Sequence, residues 1–98
     1  MAVAVELNFQ GPNATLENYF AAIKTMGATP EGPHPDPNCV SHWVSEVDGG
    51  FRVVDVWKTK DAFERFSQER IGPVTQQSGM PQPEIKFIDV ANYMTAGA

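Results

Sequence analysis

The stretch from Cys39 to Lys58, CVSHWVSEVDGGFRVVDVWK, decides the fold. Val40, His42, Val44 and Glu46 alternate with Ser41, Trp43, Ser45 and Val47, and a period of two is the signature of a strand. Asp48-Gly49-Gly50 interrupts the run, and glycine supplies the positive φ of a tight hairpin turn. Phe51 to Lys58 then returns as a second β-rich segment. With a two- or four-residue connection, His42 faces Trp57 and Val44 faces Asp55, so His42 and Asp55 lie diagonally on one face. A three-residue connection would instead put Trp43 opposite Asp55 and part the pair.

On the N-terminal side, Val3, Val5, Leu7 and Phe9 alternate and predict a strand. The run LNFQGP at 7–12 looks like the remnant of an engineered protease site, but the residues leading into it read as native strand. Gly11-Pro12-Asn13 breaks the strand. Leu16, Tyr19, Phe20 and Ile23 follow at the spacing of an amphipathic helix. Thr15 is placed to cap it and Gly27 to end it. Residues 28–38 carry Pro30, Pro33, Pro35 and Pro37, half of the chain's prolines. Such a segment is neither a central strand nor a helix, and ordered loops of this length are often lids or rims of sites. Beyond the hairpin, Thr59 caps a helix carrying Ala62, Phe63 and Phe66, which Gly72-Pro73 ends or bends. Val74 to Ser78 adds a turn at most, Gly79 to Pro83 is a loop, and Glu84 to Tyr93 reads as the last strand. Thr95 to Ala98 is expected to fray.

The order β-α-β-β-α-β is the ferredoxin-like unit, an α+β protomer with an antiparallel four-stranded sheet and helices on one face. The other face keeps apolar residues such as Trp43, and the simplest way to bury them is a second copy packed sheet to sheet. The expected assembly is a homodimeric α+β barrel, with residues 1–98 as one domain.

Composition narrows the function. The 98 residues include 12 acidic and seven basic side chains, a net charge of −5, and the pI is about 4.8. The seven lysines and arginines are scattered, which argues against nucleic acid and against an anionic membrane surface. Cys39 is the only cysteine, so there is no intrachain disulfide and no cysteine-rich zinc motif. No apolar run approaches the length of a membrane span, and the first residues lack the basic region of a signal peptide. A cytoplasmic protein is expected. A chain this short must spend most of its apolar residues on its core, so a site would be a small cleft or would need a second subunit.

Residues 53–66, VVDVWKTKDAFERF, resemble the VxDVW-(E/K)-(S/T)-x-x-AFxRF signature of small bacterial dimeric α+β barrel proteins. Asn13 to Tyr19, Ser41-His42-Trp43, Ile71-Gly72-Pro73 and Asn92-Tyr93 extend the likeness over nearly the whole chain. The resemblance implies the fold and the dimer. The wider superfamily includes antibiotic-biosynthesis monooxygenases that act on aromatic polyketides without metal or flavin. It also includes polyketide cyclases, heme-degrading enzymes, stress-responsive proteins and muconolactone isomerases. In that pattern a histidine often precedes the asparagine of the last strand; here the position is Ala91, so a mechanism using that histidine does not carry over.

The candidate site is built around His42. A carboxylate beside an imidazole fixes its tautomer and raises its basicity, so His42 is the candidate base and Asp55 its orienter. The plainer reading is a structural hydrogen bond between two groups that must be satisfied when buried. Tyr19 would be an acid or hydrogen-bond donor beside them, or a core tyrosine with its tip at the rim. Phe20, Trp57 and Phe63 would line the ligand pocket, although a strand tryptophan is more often packing. Trp43, on the other face, is the candidate for the dimer interface. His34 with Asp36 is too small a set for a metal and reads as a solvated loop histidine. Cys39 has no basic neighbour in sequence to activate its thiol.

Two functions follow. One is an enzyme or carrier for a small apolar or aromatic metabolite, needing no cofactor and working by proton transfer: cyclisation, isomerisation or oxygenation. The other is a non-catalytic dimeric module whose helix–sheet interface is filled by Phe20, Ile23, Phe63 and Phe66. An open cavity with convergent polar groups would favour the first. Heme binding through His42 or His34 is a distant third.

Overall fold

The computed structural model describes residues 1–97. Strand β1 (Val3–Gln10) lies at the middle of the sheet, because its alternation of Val3, Val5, Leu7 and Phe9 buries one face completely. It pairs antiparallel with β3 (Gly50–Trp57) on one side and with β4 (Glu84–Asp89) on the other. β2 (Cys39–Val47) pairs antiparallel with β3 and forms one edge, giving the order β2-β3-β1-β4. This is the ferredoxin-like arrangement expected of the sequence. β4 ends at Asp89 rather than Tyr93. Of the tail expected to fray, residues 95–97 are exposed and without regular structure, and Ala98 lies outside the described residues.

Helix α1 (Leu16–Thr25) starts as its sequence predicts: the Thr15 hydroxyl accepts from the Asn18 amide at 3.1 Å. Gly27, at φ 83°, turns the chain out of the helix. Helix α2 (Lys60–Phe66) is capped in the same way, with the Thr59 hydroxyl accepting from the Ala62 amide at 3.1 Å. The chain does not stop at Gly72-Pro73. A π-helical turn (Ser67–Ile71) leads directly into α3 (Gly72–Ser78). Pro73 has no amide hydrogen, and in a regular α-helix its ring would meet the carbonyl four residues back. Widening that turn accommodates the ring, and the Gly72 amide donates to the Ser67 carbonyl instead.

The core lies between the sheet and the helices. Trp57, Phe51, Phe63, Leu7 and Val5 are its largest fully buried side chains. Each such side chain contributes roughly 1.5–3 kcal/mol by leaving water. The opposite face carries Trp43, Val54, Val56, Ala4 and Ile88 in adjoining register; Trp43 is 54% and Ile88 63% exposed.

The hairpin differs from expectation in register. Its turn is Asp48-Gly49, so Val47 pairs with Gly50 and His42 sits directly opposite Asp55 rather than diagonal to it. Gly50 is sterically required: a Cβ there would collide with the Phe9 carbonyl. The two-residue slip leaves the faces unchanged, because side chains alternate with period two. A bulge between Cys39 and Ser41 does change a face. It brings Cys39 opposite Trp57, on the core side, where simple alternation would have turned it outward with Ser41 and Trp43.

Candidate functional site

Among the described residues, Asp55 is the one carboxylate held inside the core, at 3% exposure. Strand alternation puts it there, between Val53 and Trp57. Its two oxygens are satisfied separately. Oδ1 lies 2.6 Å from His42 Nδ1 and Oδ2 lies 3.0 Å from Trp57 Nε1. A carboxylate accepts, so His42 Nδ1–H and the Trp57 indole N–H both donate. In the neutral imidazole this leaves the Nε2 lone pair free, and Tyr19 Oη lies 2.6 Å from it. The tyrosine hydroxyl is therefore the donor to His42. Tyr19 comes from the inward stripe of α1, so helix, edge strand and inner strand meet in one chain: Tyr19, His42, Asp55, Trp57. No buried side-chain nitrogen or oxygen among the described residues lacks a partner.

Tyr19, His42 and Asp55 form part of the wall of a cavity of about 610 Å³ between α1, the proline loop and the sheet. Its volume is ordinary for a small-molecule site, and it lies within one protomer. The expectation that 98 residues would leave only a small cleft is corrected. Residues 28–35 of the proline loop and Phe20, 43% exposed, border this space. Apolar side chains such as Leu7, Ile23, Phe51 and Met80 make up much of the remaining wall.

Of the residues expected at the site, Tyr19, Phe20, His42 and Asp55 border the cavity. Trp57 and Phe63 do not. They are 0% and 1% exposed and lie in the core behind the cavity wall. Trp57 acts there as a donor to Asp55, not as a surface for a ligand. His34 is also corrected. It is not a solvated loop residue: the proline loop folds it inward, with its ring centroid 5.5 Å from His42, 5.3 Å from Trp57 and 5.0 Å from Phe66. Its Nδ1 accepts from the Asp36 amide at 3.0 Å. Nothing local in the sequence marks this inward turn; the loop's length and four prolines were the only signal.

Electrostatics sharpen the roles. Burial, reinforced by the Asp55 charge, pushes the Tyr19 hydroxyl above the usual phenol range, so Tyr19 is a proton donor rather than a resting tyrosinate. Burial pulls His34 below the usual imidazole range, and His42 adds to this, although Asp55 and Asp36 act the other way. Burial, with a further contribution from Asp55, pushes the Cys39 thiol up to about 12. The Cys39 side chain is thus a protonated thiol at neutral pH, and its Sγ–H donates to the Ser41 carbonyl.

The fold is shared with solved structures described as antibiotic biosynthesis monooxygenases. The Rv0793 protein of Mycobacterium tuberculosis superimposes with a TM-score of 0.67 at 17% identity, over 97% of this chain and 100% of that one. An antibiotic biosynthesis monooxygenase gives 0.62 at 15% identity, over 94% and 100%. SnoaB of Streptomyces nogalater, a cofactor-independent oxygenase, gives 0.57 at 16% identity, over 95% and 94%. The sequence matches no protein-family model and no curated protein. At these identities the likeness defines the fold. Among the described residues, no helix is long and apolar enough to cross a membrane.

Proposed function

We propose that the protein is a cofactor-independent enzyme that removes a proton from a small, largely aromatic metabolite, working as a homodimer joined through the outer face of its sheet. The observation that carries this reading is the Tyr19–His42–Asp55–Trp57 chain ending at an apolar cavity. The His42 lone pair is occupied by the Tyr19 hydroxyl, so the proton moves in two linked transfers. The substrate gives its proton to the Tyr19 oxygen as Tyr19 passes its own to His42 Nε2. Asp55 holds the resulting imidazolium, and Trp57 holds Asp55. The raised pKa of Tyr19 makes free tyrosinate unfavourable, which is why the two transfers belong together.

A substrate that suits this site is apolar, flat and acidic at one position, such as a phenol or a ring ketone with an activated CH2. Its carbanion has two outcomes: internal rearrangement, or reaction with O2. The similarity to the cofactor-independent oxygenase SnoaB supports the second. In that case CH2 plus O2 gives C=O plus H2O, and the two oxygen atoms are divided between ketone and water.

Anthrone tests the proposal, because its conversion to anthraquinone consumes one O2 and releases one water. The expected result is O2 uptake and quinone formation above the buffer rate, reduced by about 10²–10⁴ in His42→Gln. Anthrone that binds in the cavity without any acceleration would overturn the enzyme reading in favour of a binding module.

A further inference from the structure

His34, Cys39 and Asp55 come from three separate places, the proline loop, the start of β2 and the middle of β3, yet one ligand-capable atom of each lies within 4.8 Å of the others. We propose that these three side chains form a binding site for a borderline-soft divalent cation, best represented by Zn²⁺, whose remaining coordination position opens on the cavity.

The chemistry of the donors favours this ion. One imidazole nitrogen, one sulfur and one carboxylate oxygen make a mixed set of the kind zinc accepts, and three protein ligands with one open position is the usual form of a reactive zinc site. With bonds of about 2.0–2.3 Å, tetrahedral ligand atoms stand roughly 3.3–3.7 Å apart. From separations of at most 4.8 Å the three atoms must therefore close in by at most about 1.5 Å. Calcium and magnesium, which take oxygen ligands in larger number, are poorly matched.

The surroundings also fit. Asp55 is oriented by His42 and Trp57, each bound to a different oxygen, and each oxygen keeps a further lone pair for a metal. His34 Nδ1 sits against the Asp36 backbone, 3.3 Å from its carbonyl oxygen. In the structure Nδ1 accepts from the Asp36 amide at 3.0 Å, so binding the ion through Nε2 moves the imidazole proton to Nδ1. Nδ1 then gives up the amide and turns to the carbonyl, the outer support a metal-bound histidine normally has. The β2 bulge turns Cys39 inward to complete the set. The thiol proton leaves when the sulfur coordinates, so the metal replaces the present Sγ–H bond to Ser41.

The inference does not rest on the proposed activity. The test is titration of the whole reduced chain with CoCl2. The expected result is one cobalt per chain, a sulfur-to-cobalt charge-transfer band in the near ultraviolet, tetrahedral visible bands, and displacement by ZnCl2. Cys39→Ser should abolish the charge-transfer band. His34→Gln, checked for folding by circular dichroism, should weaken binding by at least about tenfold, the lower end of what a supporting group alone contributes. Tyr19→Phe should still bind cobalt, because Tyr19 touches His42 and none of the three ligands, which separates this site from the proposed proton transfer. Absence of the charge-transfer band in the native chain, equal affinity in His34→Gln, or loss of binding in Tyr19→Phe would each overturn the assignment.

Discussion

Replacing Asp55 by asparagine tests the site without knowledge of the substrate. The change preserves shape and removes one acceptor. Trp57 Nε1–H can only donate, so the amide oxygen must stay on its side, where Oδ2 now accepts at 3.0 Å. The amide NH2 then faces His42 Nδ1, which is 2.6 Å from the present Oδ1. Two donors cannot share that gap, so His42 must move its proton to Nε2. The Tyr19 hydroxyl, now donor to Nε2 at 2.6 Å, must turn and accept. A charge-assisted bond is lost and a neutral one replaces it, a cost of about 1–2 kcal/mol. For a chain of this length that lowers Tm by roughly 4–16 °C, at about 4–8 °C per kcal/mol. The fold should survive while the base is turned away from the cavity. A tautomer reversal of this kind costs about 10⁴ in rate where an imidazole is the essential base. The assay is the ¹⁵N spectrum of the His42 imidazole. The native protein should show protonated Nδ1 and bare Nε2, and Asp55→Asn the reverse. The same tautomer in both proteins would refute the argued direction of the hydrogen-bond chain.

Other consequences can be measured separately. Trp57→Phe removes the donor to Asp55 Oδ2 and part of a fully buried ring; it should cost about 3 kcal/mol and lower Tm by more than about 10 °C, and a smaller shift would show that water replaces the indole. Cys39, its thiol raised to about 12 against an ordinary 9.0, should react with iodoacetamide at pH 8 roughly a thousandfold more slowly when folded than when unfolded. Because only the thiolate reacts, the folded rate should rise about tenfold for each pH unit below 12, and a plateau near pH 9 would contradict the burial argument. Trp43→Glu places a charge on the exposed outer face and should convert the proposed dimer to monomer in sedimentation with little change in helix content; an unchanged dimer, or a native chain that sediments as a monomer, would overturn the proposed interface.

The elements were legible because their signals are local. Val3 to Phe9, Leu16 to Ile23 and the existence of a turn within Asp48-Gly49-Gly50 are each declared within a few residues. The shared face of His42 and Asp55 was legible for a subtler reason. Parity survives a register error of two, so a misplaced turn still set both groups on the core side. The bulge at the start of β2 breaks that protection and sets Cys39 on the core side against the alternation that follows it. His34 was lost for a different reason. Its place depends on where a proline loop with no pairing partner comes to rest against Trp57 and Phe66, a tertiary outcome with no period to betray it. The cavity follows from the same cause. Sequence counts apolar residues but not the gaps between them, and Phe20 looks identical whether it fills the interface or stands at its rim. The residues that were hardest to place are thus those set by the loop and the bulge. These irregular segments bring His34 and Cys39 to Asp55, so the least legible part of the fold meets the hydrogen-bond chain through His42 at the carboxylate they share.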